Sequence, residues 1–163
     1  MMKKFCFVML LAIGIILGSQ AADMSKAEAV RVSAQELKVQ EEKAEPFLAK
    51  ASEYYDKGKY KKAAELQRQA VAVAPDFYPV YTDLALSYGK MSQPEEGIKL
   101  LTDAIVKRDV TDAPMFFVRG LLYEQMGDFT EAGKDYQAAL NSNPDKNLVK
   151  SVKRAQQRIW SKS

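Results

Sequence analysis

The side chains that most often perform chemistry are almost absent from this sequence. Its 163 residues contain no histidine and one cysteine, Cys6. Without histidine there is no usual acid/base group for neutral pH, no nucleophile activated by imidazole, and no ordinary zinc, copper or haem ligand set. The sequence therefore predicts a protein that is not an enzyme and that holds no metal or cofactor.

Carboxylates and lysines remain as candidate catalytic groups. Asp103 and Lys107 are four residues apart, as are Glu131 and Asp135. On a helix this spacing is typical of charged residues on a solvated face. The eight glycines form no loop of the kind that binds phosphate. We therefore predict no catalytic residue among these groups.

Residues 1–21 have the pattern of a secretory signal peptide. Two lysines precede thirteen uncharged residues, 5–17, and small residues follow, with Ser19 and Ala21 at the spacing that a signal peptidase requires. As a helix, such a run would span roughly 20 Å, less than the about 30 Å hydrocarbon core of a bilayer. We predict cleavage after Ala21 and export to the bacterial periplasm or out of the cell. The alternative is an uncleaved anchor in the inner membrane.

Cleavage would also change the composition of the protein. Removal of Lys3 and Lys4 leaves 22 basic and 21 acidic residues, a net charge of +1 instead of +3. This balance does not favour binding to nucleic acid. Because Cys6 would be lost as well, the mature chain could form no disulfide, and its stability must come from packing.

The sequence repeats itself at intervals of 34 and 35 residues. The first set of matching positions is Tyr54, Tyr88 and Tyr123. The same two intervals separate three further sets: Ala51, Ala85 and Gly120; Ala63, Gly97 and Ala132; Ala70, Ala104 and Ala139. Four sets with one shared spacing predict three repeat units, residues 44–77, 78–112 and 113–146.

Each unit contains two stretches with helical spacing of apolar residues. In the third unit, Phe116, Gly120 and Tyr123 mark the first helix, and the second follows the turn at Gly127. The small residues have a steric explanation, because two helices can approach closely only where no large side chain separates them. The units are therefore predicted to be helix pairs packed through alanine and glycine.

These residues resemble the tetratricopeptide repeat, a 34-residue helix-turn-helix unit with small residues at fixed positions and a proline near its end. The third unit matches best. The first has Gln67 where an aromatic residue is usual, and the middle one has Asp109 in place of the terminal proline. The resemblance implies an all-α, right-handed superhelix of three helix pairs, and a protein that binds other proteins.

The resemblance also implies a concave groove lined by the first helix of each pair. The groove positions are Leu48, Ser52, Tyr55, Thr82, Leu86, Lys90, Phe117, Leu121 and Gln125. Their apolar members lie off the predicted packing stripes, so we expect them to bind a peptide or an amphipathic helix of a partner protein, with Phe117 and Leu121 as central anchors. The alternative is that a flanking segment buries this surface, or that a second copy of the chain does so in a structural homo-oligomer.

One subclass of the family grips C-terminal carboxylates with lysine, asparagine and arginine at fixed groove positions. Those positions correspond to Leu48, Ser52, Asp83, Pro114 and Val118. No cationic clamp is present among them, and a ligand of that class is therefore not expected.

Both flanks of the repeats are predicted to be helical. Residues 147–163 form a capping helix and tail, whose apolar stripe covers the last repeat. The opposite face carries Lys150, Lys153, Arg154 and Arg158. Peripheral attachment to an anionic lipid, a glycan or an acidic protein through this basic face is an alternative function. Residues 22–43 are expected to be flexible or loosely docked, and their occupation of the groove stays open.

Overall fold

A computed structural model of the protein describes residues 34–108 and 112–161. Within these ranges the chain forms seven helices and no strand, which confirms the all-α prediction. The helices are α1 (34–56), α2 (Tyr60–Val73), α3 (Pro79–Lys90), α4 (Pro94–Arg108), α5 (Ala113–Met126), α6 (Phe129–Asn141) and α7 (Lys146–Trp160). The predicted signal peptide, residues 1–21, and Asp109, which replaces the terminal proline of the middle unit, lie outside the described residues.

The chain divides into two units, residues 1–39 and 40–163. In the first unit, residues 34–39 are helical and exposed. In the second, α1 continues past the expected boundary at residue 44 and through Pro46. Gln40 Nε2 donates a hydrogen bond to Asp76 Oδ2 (3.1 Å), and the Asp76 backbone N–H donates to Gln40 Oε1 (2.8 Å). The end of the 22–43 segment is therefore tied to the turn between α2 and α3, while residues 22–33 lie outside the described ranges.

Three buried clusters hold the helices of the second unit together. The first joins α1, α2 and α3 through Ala44, Ala70, Ala74 and Val80. The second joins α3, α4 and α5 through Tyr81, Ala85, Leu101, Ala104, Met115, Val118 and Leu122. The third joins α6 and α7 through Ala132, Tyr136, Ala139, Val152, Ala155 and Ile159, with side chains of α5 packed against it. Each helix pair thus buries its apolar surface on the next, and α7 covers the last pair as a capping helix.

Glycine at two repeat positions permits close contact between helices. A Cβ atom on Gly97 would lie 2.6 Å from Leu122 Cδ1, and one on Gly120 would lie 2.7 Å from Tyr136 Cε1. Such distances are too short for ordinary atomic contact. The small residues found in the sequence are therefore located where neighbouring helices leave no room for a side chain.

Aspartate residues fix the starts of the last three helices. Asp112 accepts a hydrogen bond from the Met115 backbone N–H, and Asp128 accepts one from the Glu131 backbone N–H, both at 3.1 Å. Asp145 plays the same role at the start of α7. These side chains satisfy backbone donors that have no partner inside their own helix. Since the caps are local, they stabilise each helix start independently of the packing around it.

Candidate functional site

A cleft of about 150 Å³ opens between α1, α2 and α3. It is lined by Leu48, Ser52, Tyr55, Gln67, Asp83 and Leu86. Four of these, Leu48, Ser52, Tyr55 and Leu86, are among the groove positions proposed from the sequence. The structure therefore brings the three groove residues of the first unit together with one from the second.

Helical spacing and packing position the walls of this cleft. Residues 48, 52 and 55 follow one another at intervals of four and three, which places them on one face of α1. The Tyr55 ring packs edge-on against Tyr60, with 5.1 Å between ring centroids. Leu48 packs against the first buried cluster and Leu86 against the second. The apolar walls are therefore anchored in the cores on either side.

Asp83 supplies the only formal charge among the residues that line the cleft. Its carboxylate is accessible to solvent, and no lysine or arginine pairs with it in the described part of the chain. Partial burial raises the pKa of this carboxyl group. Burial also raises the pKa of Tyr55, with smaller contributions from Tyr60 and Asp83. Asp83 is thus a negative charge that the surrounding fold leaves uncompensated.

Gln67 forms a polar part of the same cleft. It is only 4% exposed, and its Oε1 accepts a 2.7 Å hydrogen bond from the Ser87 hydroxyl group, which is fully buried. This contact explains why a polar residue is stable where the repeat usually has an aromatic one. Gln67 was not among the predicted groove residues. Asp83 was named only as a groove position that lacks the cation of the carboxylate-binding subclass, and its place three residues before Leu86 on the same helix face was a further signal for it.

Three other predicted groove positions do not line the cleft. Thr82 is buried, and its hydroxyl group donates a 2.7 Å hydrogen bond to the Pro79 carbonyl oxygen. Gln125 Nε2 donates to the Gly89 carbonyl oxygen at 2.9 Å. Lys90 is exposed at the last residue of α3. Thr82 and Gln125 therefore have structural contacts that their positions in the sequence did not indicate.

The structure corrects the environment predicted for Phe117 and Leu121. Both were expected to lie off the packing stripes, but both are half-buried and pack against the third cluster. The Phe117 ring lies 5.9 Å from the Tyr136 ring. Their apolar character therefore has a core explanation, and neither lines the cleft. Their role as partner-binding anchors stays a prediction.

The basic face of α7 also needs a correction. Lys150, Lys153 and Arg154 are exposed, as expected. Arg158 is exposed too, but it donates hydrogen bonds from Nε and Nη2 to the two carboxylate oxygens of Glu124, at 2.6 and 2.7 Å. Glu124 therefore compensates the charge of Arg158, whereas the other three predicted basic side chains form no ion pair in the described part of the chain.

Two features that would suggest other functions are not seen in residues 34–108 and 112–161. No cluster of three or more cysteine, aspartate or glutamate side chains there could hold a metal ion. In those same ranges, every helix is too short or too polar to cross a membrane.

The family of the repeats follows from a comparison with sequence models. Residues 44–77 and 113–146 each match the model described as Tetratricopeptide repeat. These two segments are tetratricopeptide repeats. No curated protein matches the sequence. The α3–α4 pair lies between the two matched repeats and packs on both.

Solved tetratricopeptide-repeat structures share this fold. The Sgt2 domain from Aspergillus fumigatus has 20% identity and a TM-score of 0.64, covering 74% of this chain and 78% of that one. The first domain of human RPAP3 has 19% identity and a TM-score of 0.63, covering 72% and 90%. The first repeat domain of Spaghetti (RPAP3), bound to the HSP90 peptide SRMEEVD, has 19% identity and a TM-score of 0.62, covering 74% and 92%. These likenesses confirm the superhelical arrangement of helix pairs.

Replacing Asp83 with asparagine should stabilise the protein at pH 7. The folded state raises the pKa of this carboxyl group, so the charged form opposes folding above that pKa, and the opposition disappears as the pH falls below the unfolded value of about 4. We expect Asp83→Asn to increase the free energy of unfolding by up to about 0.5 kcal/mol at pH 7, since the group is accessible to solvent. Urea unfolding at pH 7 and pH 3.5 measures this difference, which should vanish at the lower pH.

Glu65→Gln is the matched control for this change. It removes the same charge from an exposed position on α2 that does not line the cleft. We expect little change in stability from it at either pH. A loss of stability in Asp83→Asn at pH 7 would instead reveal that the carboxylate has a stabilising partner.

Proposed function

We propose that the protein is a non-catalytic scaffold that binds a peptide or helix of a partner protein in its tetratricopeptide-repeat groove. The observation that supports this is the cleft between α1 and α3, where Leu48, Tyr55 and Leu86 present apolar surface around an opening. Accessible apolar surface of this kind is typical of peptide recognition. Two solved structures with the same fold are complexes: Spaghetti with the HSP90 peptide SRMEEVD, and yeast Sti1 TPR2AB with pHSP90.

The ligand proposed here differs in charge from the peptide in the Spaghetti complex. That peptide, SRMEEVD, contains three acidic residues. In this protein the corresponding groove positions include Leu48, Ser52 and Asp83, and none of them is basic. A carboxylate in the cleft would repel an acidic peptide. The proposed partner segment is therefore not an acidic C-terminus.

We also propose that the protein acts in a bacterial cell envelope, in the periplasm or outside the cell. Support for this location comes from residues 1–21, where lysines, an apolar run and small residues follow in the order of a secretory signal. A mature chain without Cys6 has no thiol that could be oxidised, which is compatible with an oxidising compartment.

Site-specific photocrosslinking tests the proposed groove. A photoreactive amino acid at position 52, which is exposed and lines the cleft, should give a discrete adduct with a polypeptide in cells that naturally produce the protein. The matched control is position 69, which is exposed on α2 but lies outside the cleft. We expect no adduct of the same mass from position 69.

Binding of the identified partner then tests the role of the cleft. Ser52→Trp would fill the opening with an indole ring from an exposed position, where the larger side chain need not disturb the core. We expect this variant to weaken the Kd by at least about tenfold, or about 1.4 kcal/mol, with unchanged helicity. Equal adducts from both positions, or an unchanged Kd in Ser52→Trp, would contradict the proposed groove.

A second function is favoured by the outer face of α7. Lys150, Lys153 and Arg154 are exposed there, Trp160 is 73% exposed, and residues 146–161 contain no acidic side chain. Basic and aromatic side chains together favour the surface of an anionic membrane. Salt-sensitive sedimentation with phosphatidylglycerol vesicles, abolished by changing these three basic residues to glutamine, would support peripheral attachment, and no sedimentation would reject it.

A further inference from the structure

Enclosed carboxylates in the C-terminal half of the protein are paired with arginine. Asp135, whose side chain is 7% exposed, lies 2.7 Å from Arg119. Glu124, whose side chain is 9% exposed, lies 2.6 Å from Arg158. Arginine in each case supplies two hydrogen bonds to the two carboxylate oxygens. Arginine side chains of the same chain therefore compensate the charges of these two carboxylates.

Asp83 differs from these carboxylates because it has no internal cation. Among the described residues, neither a lysine nor an arginine side chain forms an ion pair with it. The other residues that line the cleft are neutral. Partial burial of the carboxyl group weakens its hydration, which makes an added positive charge more favourable than at an open surface. The cleft is thus complementary to a cation.

The walls of the cleft specify what kind of cation would bind. Leu48 and Leu86 line the cleft together with Asp83 and offer apolar surface, and the Tyr55 ring lines the same opening. Lysine and arginine combine an aliphatic stem with a charged end, and such ends also interact favourably with aromatic rings. A small inorganic cation would leave the apolar walls unused.

The volume of the cleft suits a single side chain. The volume of the cleft is about 150 Å³. A cavity of about that size binds benzene in another protein, and a lysine side chain is of comparable size. Because the opening is accessible to solvent, the rest of the partner can remain outside while one side chain enters.

We infer that this cleft binds a lysine or arginine side chain of the partner polypeptide, with the charged end at Asp83 and the aliphatic carbons between Leu48 and Leu86. The inference rests on the proposed function and specifies the chemistry of the partner. Asp83 would select a positively charged side chain, and the apolar walls would select a long aliphatic one.

Nuclear magnetic resonance titration of the full chain with amino-acid amides tests this assignment. The probes are N-acetyl-lysine methylamide, N-acetyl-arginine methylamide and N-acetyl-norleucine methylamide, the last having an apolar chain without charge. We expect the two cationic probes to shift backbone amide signals around residues 52–55 and 83–86. The norleucine probe should bind at least about tenfold more weakly, the ratio given by about 1.4 kcal/mol.

Asp83→Asn should weaken binding of the cationic probes by at least about tenfold, because hydrogen bonds to charged groups contribute more than 1.4 kcal/mol. Glu65→Gln, with the same loss of charge away from the cleft, should leave binding unchanged. Signal dispersion in each variant reports whether the fold is intact. Equal binding of norleucine and lysine probes, or unaltered binding in Asp83→Asn, would overturn the inference.

The partner found by crosslinking separates this inference from the proposed function. If the partner crosslinks at position 52 but binds Asp83→Asn with unchanged Kd, the groove stands and the cationic assignment is rejected. If lysine probes bind at Asp83 but no polypeptide crosslinks, a polypeptide partner is rejected together with the proposed function. Light scattering tests a third case, in which a second copy of the chain occupies the cleft. The measured mass would then exceed the 18.3 kDa of one chain, and Asp83→Asn would return it to the monomer value. This result would overturn the assignment to a different partner protein.

Discussion

Arg119→Met should lower the free energy of unfolding by about 3–5 kcal/mol, the range found when one partner of a buried ion pair is removed. Arg119 Nε and Nη2 donate to the Asp135 carboxylate oxygens at 2.8 and 2.7 Å, and Nη1 donates to Thr102 Oγ1 at 3.0 Å. The hydrogen bond to Asp135 raises the pKa of the arginine. Methionine keeps much of the side-chain volume but leaves the Asp135 carboxylate enclosed without a cation.

A double-mutant cycle with Asp135→Leu measures the pair directly. Each single variant leaves a polar group without its partner, whereas Arg119→Met with Asp135→Leu replaces both by apolar groups. We expect the double variant to be more stable than Arg119→Met alone in urea unfolding at pH 7. A loss below about 1 kcal/mol would show that the pair contributes no more than an exposed one.

Gly120→Ala should cost up to about 2 kcal/mol, because overpacking a core costs about 1–3 kcal/mol and the helix propensity of alanine offsets about 1 kcal/mol of this. The new Cβ would lie 2.7 and 2.8 Å from two ring carbons of Tyr136 and 3.3 Å from the Ala132 carbonyl oxygen. Tyr136 cannot easily move aside. Its ring is fully buried, and its hydroxyl group donates a 2.8 Å hydrogen bond to Glu124 Oε2. Glu124 is itself fixed by Arg158.

Gly133→Ala is the matched control for Gly120→Ala. Both glycines lie inside helices, where alanine is intrinsically favoured by about 1 kcal/mol. At Gly133 the nearest atom to the new Cβ would be Ile159 Cδ1 at 3.7 Å, an ordinary contact. Gly120→Ala should therefore lower the midpoint of thermal unfolding, and Gly133→Ala should raise it. Equal stabilisation of both variants would contradict the close approach of α5 and α6.

These contacts distinguish the two halves of the described structure. Two arginine–carboxylate pairs join the C-terminal helices: Arg119 with Asp135, which is enclosed, and Arg158 with Glu124, in which the arginine is exposed. The cleft lies at the other end, between α1, α2 and α3, and its carboxylate is left open. Phe117 and Leu121 belong to the C-terminal part, where they pack against the third cluster.

Several errors in the sequence analysis have one physical origin. Asp135 was expected on a solvated face with Glu131, but it is 5% exposed and paired with Arg119. Arg158 is exposed on the expected face, but its ion pair with Glu124 was not foreseen. Helical spacing tells which residues share a face, but not which side chain of a neighbouring helix lies opposite. That pairing depends on the distance and angle between helices.

The sequence alone determined the repeat, the helix pairs and the places where glycine and alanine are required. These features follow from short-range periodicity, because each helix buries the stripe that its own spacing creates. It also placed Leu48, Ser52, Tyr55 and Leu86 on one surface. Only the tertiary structure decided which charges are neutralised, since Arg119 meets a carboxylate 16 residues away and Arg158 meets one 34 residues away. The tertiary structure likewise decided that no lysine or arginine pairs with Asp83 among the described residues.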